Sequence, residues 1–184
     1  PMLLAMGPVE PMARWLPAVG KGAALVYGLI LPFTALTRDF GGLAGPVLFL
    51  RDKLSGTAST YPHSSVNAFN LWAATGMWQP DSRMLLGIPH WFWGLLLFGG
   101  LLAGILIQLL QGRLQLTPAR RDLLVALVPL ACFLLTTRMH ERYLFLGMGL
   151  LTVAAASNAR LRPHWWLLTG VATANLAYAY GLYH

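Results

Sequence analysis

The chain has 184 residues, 57% of them hydrophobic and only 10% charged, with 13 Lys or Arg against 6 Asp or Glu and a formal net charge of +7. Soluble domains carry about 25% charged residues, so this composition argues against a soluble domain and for an integral membrane protein. The basic residues are scattered between apolar runs instead of forming a stripe, which argues against a nucleic-acid partner and reads as a topology signal.

The first 18 residues hold Pro1, Pro8, Pro11 and Pro17, a density that predicts a loop. They lack the ordered n-region, h-region and cleavage site of a signal peptide. A start at Pro1 suggests a piece of a larger protein. Val19–Thr37 is the first predicted span, with Lys21 placed to snorkel and Pro32 to kink it. Residues 38–89 follow as a long extracytoplasmic loop. Its two apolar pieces, Gly42–Leu50 and Ser65–Gly76, are shorter than the roughly 17–25 residues a spanning helix needs. The first, leading into Arg51-Asp52-Lys53, reads as an interfacial helix. The second reads as a re-entrant or interfacial helix capped by Ser64 or Ser65, with Asn67 and Asn70 on one face.

His90–Leu110 is a clear span, and its Gly100 and Gly104 allow close approach of a neighbouring helix. A basic loop over residues 111–121 precedes the span Asp122–Thr137. Tyr143–Ser157 is the next span, then a second basic loop over residues 158–163. His164–Tyr183 closes the set, opened by Trp165 and Trp166 as an aromatic belt. Cys132, the single cysteine, lies inside an apolar run and reads as packing. The predicted fold is all-α: one polytopic helical membrane domain over residues 1–184 with about five transmembrane helices. The basic short loops place residues 111–121 and 158–163 in the cytoplasm of a multi-pass cell-membrane protein. Loop 38–89 and the turn at residues 138–142 then face outward together.

That turn, Arg138-Met139-His140-Glu141-Arg142, puts three full charges and an imidazole between two apolar runs, where charge is expensive and usually marks a site. The flanking spans are short for a hydrocarbon core of about 30 Å, so the turn should be recessed among helices. Read as a helix, Arg138 and Arg142 share a face with Glu141, which holds both guanidinium groups and leaves N–H donors for an anion. Arginine's planar fork suits phosphate oxygens, so a phosphate on a lipid carrier fits. The plainer reading has both arginines snorkelling to headgroups, satisfied by Glu141 and His140. Asp81 reads as a turn cap, Tyr61 and His63 as headgroup anchors, and Trp72 as a residue lining a site. The five His show no metal-ligand spacing, and no cofactor or divalent cation is indicated.

The segments TRMHERYLF, residues 137–145, and YPHSSVNAFNLWAATGMWQPDS, residues 61–82, resemble bacterial and archaeal membrane glycosyltransferases of the GT-C superfamily, in the group similar to GPI mannosyltransferases. The resemblance covers about residues 38–157. It implies an enzyme moving a hexose, mannose first, from a polyprenyl-phosphate donor to an acceptor hydroxyl at the extracytoplasmic face. The implied partners are the lipid-linked sugar, a glycan, lipid or protein acceptor, and membrane lipid. Arg138, His140, Glu141, Arg142 and Tyr143 match the family's donor-phosphate segment. Asn67, Asn70 and Trp72 match a segment bordering the same cavity, with Tyr61, His63 and Asp81 beside it. The resemblance puts the acidic catalytic base upstream of residue 1. The rival readings are a transporter or flippase for a lipid-linked anion, and a non-catalytic scaffold subunit.

Overall fold

The computed structural model of the chain describes residues 9–35 and 40–181. They are mostly helical, in the order α1 (Val9–Ala35), α2 (Gly45–Thr60), α3 (His90–Leu110), α4 (Pro118–Leu135), α5 (Leu144–Ser157) and α6 (Arg162–Gly181). The all-α reading holds, apart from a two-residue ladder, β1 (Met84–Leu85) and β2 (Ile88–Pro89). Its turn, Leu86-Gly87, has both residues at positive φ, the geometry that matches the twist of a tight hairpin. Among the described residues, α3 is the one helix long and apolar enough to cross a membrane.

The chain divides into two compact units at Thr60/Tyr61. In the first, α1 and α2 pack on one another, and the Tyr27 hydroxyl donates to the Leu43 carbonyl at 2.7 Å. The proline-rich start is helical from Val9, not a loop as the sequence reading has it, and α1 contains Pro17 and Pro32. Pro11 falls in the first turn, where backbone N–H groups have no partner to lose. Residues 36 and 37 of the predicted span lie outside the described residues. The interfacial helix expected over Gly42–Leu50 runs on to Thr60.

In the second unit α4 and α5 form the closest helix pair. Gly147 makes the approach possible: a Cβ there would lie 2.6 Å from Leu130 Cδ2 and 3.2 Å from Leu130 N. Gly94, not the predicted Gly100 and Gly104, brings α3 in. A Cβ on Gly94 would meet the Leu135 carbonyl at 3.0 Å, whereas nothing described lies within 4 Å of the other two. The core joins Ala126, Leu130, Phe133, Leu144, Met148, Leu151 and Ala172 to Ala68, a loop residue with no exposed surface. Away from this core the helices present apolar side chains outward, among them Leu95, Leu106 and Ile107 on α3 and Val153 on α5.

Candidate functional site

The site grows from the end of α4. A helix leaves its last carbonyls without partners, and here loop residues take them. Trp72 Nε1 donates to the Leu135 carbonyl at 2.7 Å, and Asn70 Nδ2 to the Thr136 carbonyl at 3.2 Å. Asn70 also caps the short 3-10 helix Leu71–Thr75, its Oδ1 accepting from Ala73 N at 3.2 Å. The expected longer helix over residues 65–76 does not form. Asn67 sits at φ +56, and Ser65 spends its hydroxyl on the Ala68 carbonyl at 2.7 Å, so this stretch is a folded loop. Trp72 is buried and stacked on His90 at 4.9 Å. It packs the loop onto α3 and borders an apolar cavity of about 310 Å³ with Leu71, Leu86 and Trp93.

The turn after α4 is not helical either, which corrects the expectation that Arg138 and Arg142 flank Glu141 on one face. Arg138 has φ +63, and its backbone N–H donates to the His63 carbonyl at 2.9 Å. Val66 N donates to the Met139 carbonyl at 3.0 Å, and His140 bridges to Val66 and Asn67. These strand-like pairings use the backbone groups that a helix would need. Arg138 Nε lies 2.6 Å from Asp81 Oδ2, a carboxylate 4% exposed, which the Thr137 hydroxyl also approaches at 3.5 Å. Asp81 is therefore a buried counter-ion rather than a turn cap.

Two residues complete the clasp. The Asn175 amide on α6 accepts from Phe69 N at 2.9 Å and donates to the Asn67 carbonyl. The Ser64 hydroxyl meets His90 Nδ1 at 2.7 Å. Of the four described non-glycine residues at positive φ, Asn67, Trp78 and Arg138 lie here. Asn tolerates that conformation, but for a bulky residue it is strained, and such strain gathers at functional sites.

At the other end of the turn the chain re-enters a 3-10 helix, Glu141–Tyr143. Glu141 is 8% exposed, with Arg142 Nη1 at 3.6 Å from Oε1 and His140 Nδ1 at 4.0 Å from Oε2. Arg142 is 57% exposed and lies 5.7 Å from the Tyr143 ring centre. Both residues line a groove of about 620 Å³ whose remaining walls are apolar: Phe98, Val128, Pro129, Phe133, Leu146 and Leu150 among them. Cys132 lines the same groove instead of filling the core. Burial pushes the His140 imidazole pKa below its ordinary 6.5; the Arg142 charge pushes the same way, and Glu141 opposes them. His140 is thus neutral at pH 7.

Tyr61, His63 and His140 form a run of rings with Trp78 and Tyr143. Tyr61 meets Trp78 at 6.3 Å and His140 at 4.9 Å, edge to face. His63 meets Trp78 at 5.4 Å, and His140 meets Tyr143 at 5.3 Å. His63 Nδ1 is buried without a hydrogen-bond partner. Among the described residues no group of three or more His, Cys, Asp or Glu could hold a metal.

The structure thus brings all eleven sequence-chosen residues into one loop-and-turn assembly. It gives Arg138, Asp81, Asn67, Asn70 and Trp72 internal partners, and leaves Arg142 and Tyr143 at the groove. Sequence reasoning missed Asn175 and Trp78, and read Ser64, which meets His90, as a possible helix cap. A lone amide among the small and apolar residues of α6 was the available signal for Asn175. No protein family, curated protein or solved structure matches this chain.

Proposed function

We propose that the chain is the lipid-carrier-binding part of a membrane-embedded glycosyltransferase of the GT-C type, which moves a hexose, mannose first, from a polyprenyl-phosphate donor to an acceptor hydroxyl at the extracytoplasmic face. The observation that carries this reading is one apolar groove lined at one point by a solvent-reachable guanidinium, that of Arg142. An isoprenoid chain matches the apolar walls, and a phosphate matches the guanidinium.

Several features support a membrane setting. Charged residues make up 10% of the chain, and α3 and α5 expose large apolar side chains such as Leu95, Leu106, Ile107, Phe145 and Val153, the kind of surface that marks a membrane or interaction face when it is contiguous. At 1.5 Å per residue, the 14 residues of α5 reach only about 21 Å. The turn between α4 and α5 then lies recessed below the outer headgroups, where a guanidinium acts in low dielectric. Multi-pass topology with loops 111–121 and 158–163 cytoplasmic belongs to this proposal.

The chemistry divides by residue. Arg142 binds the phosphate through charge-assisted hydrogen bonds and stabilises the charge that develops on it as the sugar leaves. Glu141, ion-paired to Arg142, orients it. Tyr143 lies beside it, its ring centre 5.7 Å from the guanidinium. An inverting transfer also needs a base to activate the acceptor hydroxyl.

The test is photo-crosslinking with a short-chain polyprenyl-phosphate mannose bearing a diazirine on its isoprenoid tail. Labelling of Val128, Leu146 or Leu150 peptides, competed by unlabelled polyprenyl phosphate, is expected. Labelling confined to peptides outside the groove, or unaffected by competitor, overturns the reading.

A further inference from the structure

We infer that Tyr61, Trp78 and Tyr143 form a stacking wall for a hexopyranose ring, a sugar site adjoining the groove but separate from the phosphate contact. The inference takes from the function above only that a sugar is handled here.

All three rings are exposed, at 40%, 39% and 38% respectively, whereas Trp72 is buried and Phe69 half-buried. They are also fixed. Trp78 is held at φ +59, with its backbone N–H on the Ser65 carbonyl at 2.9 Å and its indole N–H on Asn67 Oδ1 at 2.8 Å. Edge contacts to His63 and Tyr61 hold the ring, and Tyr61 and Tyr143 both meet His140. An indole displayed at the cost of backbone strain differs from a headgroup anchor such as Trp166. That residue sits near the start of α6 at 67% exposure, touched by Trp165.

Rigid, amphipathic rings suit a pyranose. Its faces are sheets of C–H bonds carrying partial positive charge, which the negative face of an aromatic ring attracts. Because the rings are ordered before binding, no rotamer entropy is lost when the sugar arrives. The ring edge is polar: the phenol oxygens of Tyr61 and Tyr143 can exchange hydrogen bonds with sugar hydroxyls. Tyr143 belongs to both the wall and the groove. A hexose on a phosphate at Arg142 would therefore adjoin the wall, and so would the terminal ring of an acceptor glycan. The shared chemistry is the pyranose ring.

The experiment is saturation-transfer NMR with methyl α-D-mannopyranoside on the full chain in lipid nanodiscs. Transfer to the sugar ring protons is expected for wild type and Trp166→Ala. It should fall at least threefold in Trp78→Ala and in Tyr61→Ala; Tyr61→Ala removes no side-chain hydrogen bond of the loop, so it remains informative if Trp78→Ala misfolds. No transfer to wild type, or equal transfer to Tyr61→Ala, overturns the wall. Adding short-chain polyprenyl-phosphate mannose separates the sources. Loss of the glycoside signal identifies the wall with the donor's own hexose, and persistence identifies it with an acceptor ring. Because the glycoside carries no phosphate, failure of the lipid-phosphate reading is told apart from failure of the wall.

Discussion

Arg138 and Arg142 stand four positions apart in one turn, yet their surroundings are opposite. Arg138 is locked into the protein: left-handed backbone, N–H on the His63 carbonyl, Nε on a buried carboxylate. Arg142 has one carboxylate at 3.6 Å and more than half its side chain in the open, over an apolar groove. A cationic cluster in an apolar chain thus need not act as a unit. One guanidinium shapes the turn, and that shape presents the other.

The largest way to break the comparison is at Asp81. Asp81→Asn removes the counter-ion of Arg138 and should cost about 2–4 kcal/mol, somewhat below a fully buried pair because Arg138 is 35% exposed. A thermal melt in detergent reads it, and an unchanged melting temperature would show that the clasp is dispensable. Asn175→Ala comes next. It strips the Phe69 N–H and the Asn67 carbonyl of their partners, at about 1–2 kcal/mol. Amide exchange at Phe69 should rise, and a protected Phe69 amide would assign the loop's register to other contacts.

His140 gives a smaller, pH-dependent effect. Its folded pKa lies below 6.5, so the unfolded chain takes up its proton first as pH falls. The associated stability is complete above about 6.5 and is lost between that value and the depressed folded pKa. His140→Phe, which preserves the edge contacts to Tyr61 and Tyr143, should flatten melting temperature against pH in that window. A slope equal to wild type would place the acid sensitivity elsewhere.

The helices were legible in the sequence because hydrophobic run length is a local signal: α3 was read with both ends correct, and α4 to α6 within a few residues. The site was half legible. Charge in an apolar run flagged the turn, but its non-helical course depends on partners far along the chain. Arg138 and Asp81 are separated by 57 positions and Asn175 and Phe69 by 106, distances over which periodicity carries no information. The strained φ of Trp78 escaped for the same reason: Ser65 holds its backbone N–H and Asn67 its indole.

The most direct test of the two-arginine account is the affinity of a short-chain polyprenyl phosphate for Arg142→Gln and Arg138→Gln, each with its melting temperature. The account predicts that Arg142→Gln, which weakens the contact to buried Glu141, lowers the melting temperature less than Arg138→Gln does, while its affinity falls at least tenfold, about 1.4 kcal/mol. Arg138→Gln should melt earlier and, below its transition, bind within about threefold of wild type, or about 0.7 kcal/mol. Wild-type affinity in Arg142→Gln would contradict the account and return the turn to a purely structural role.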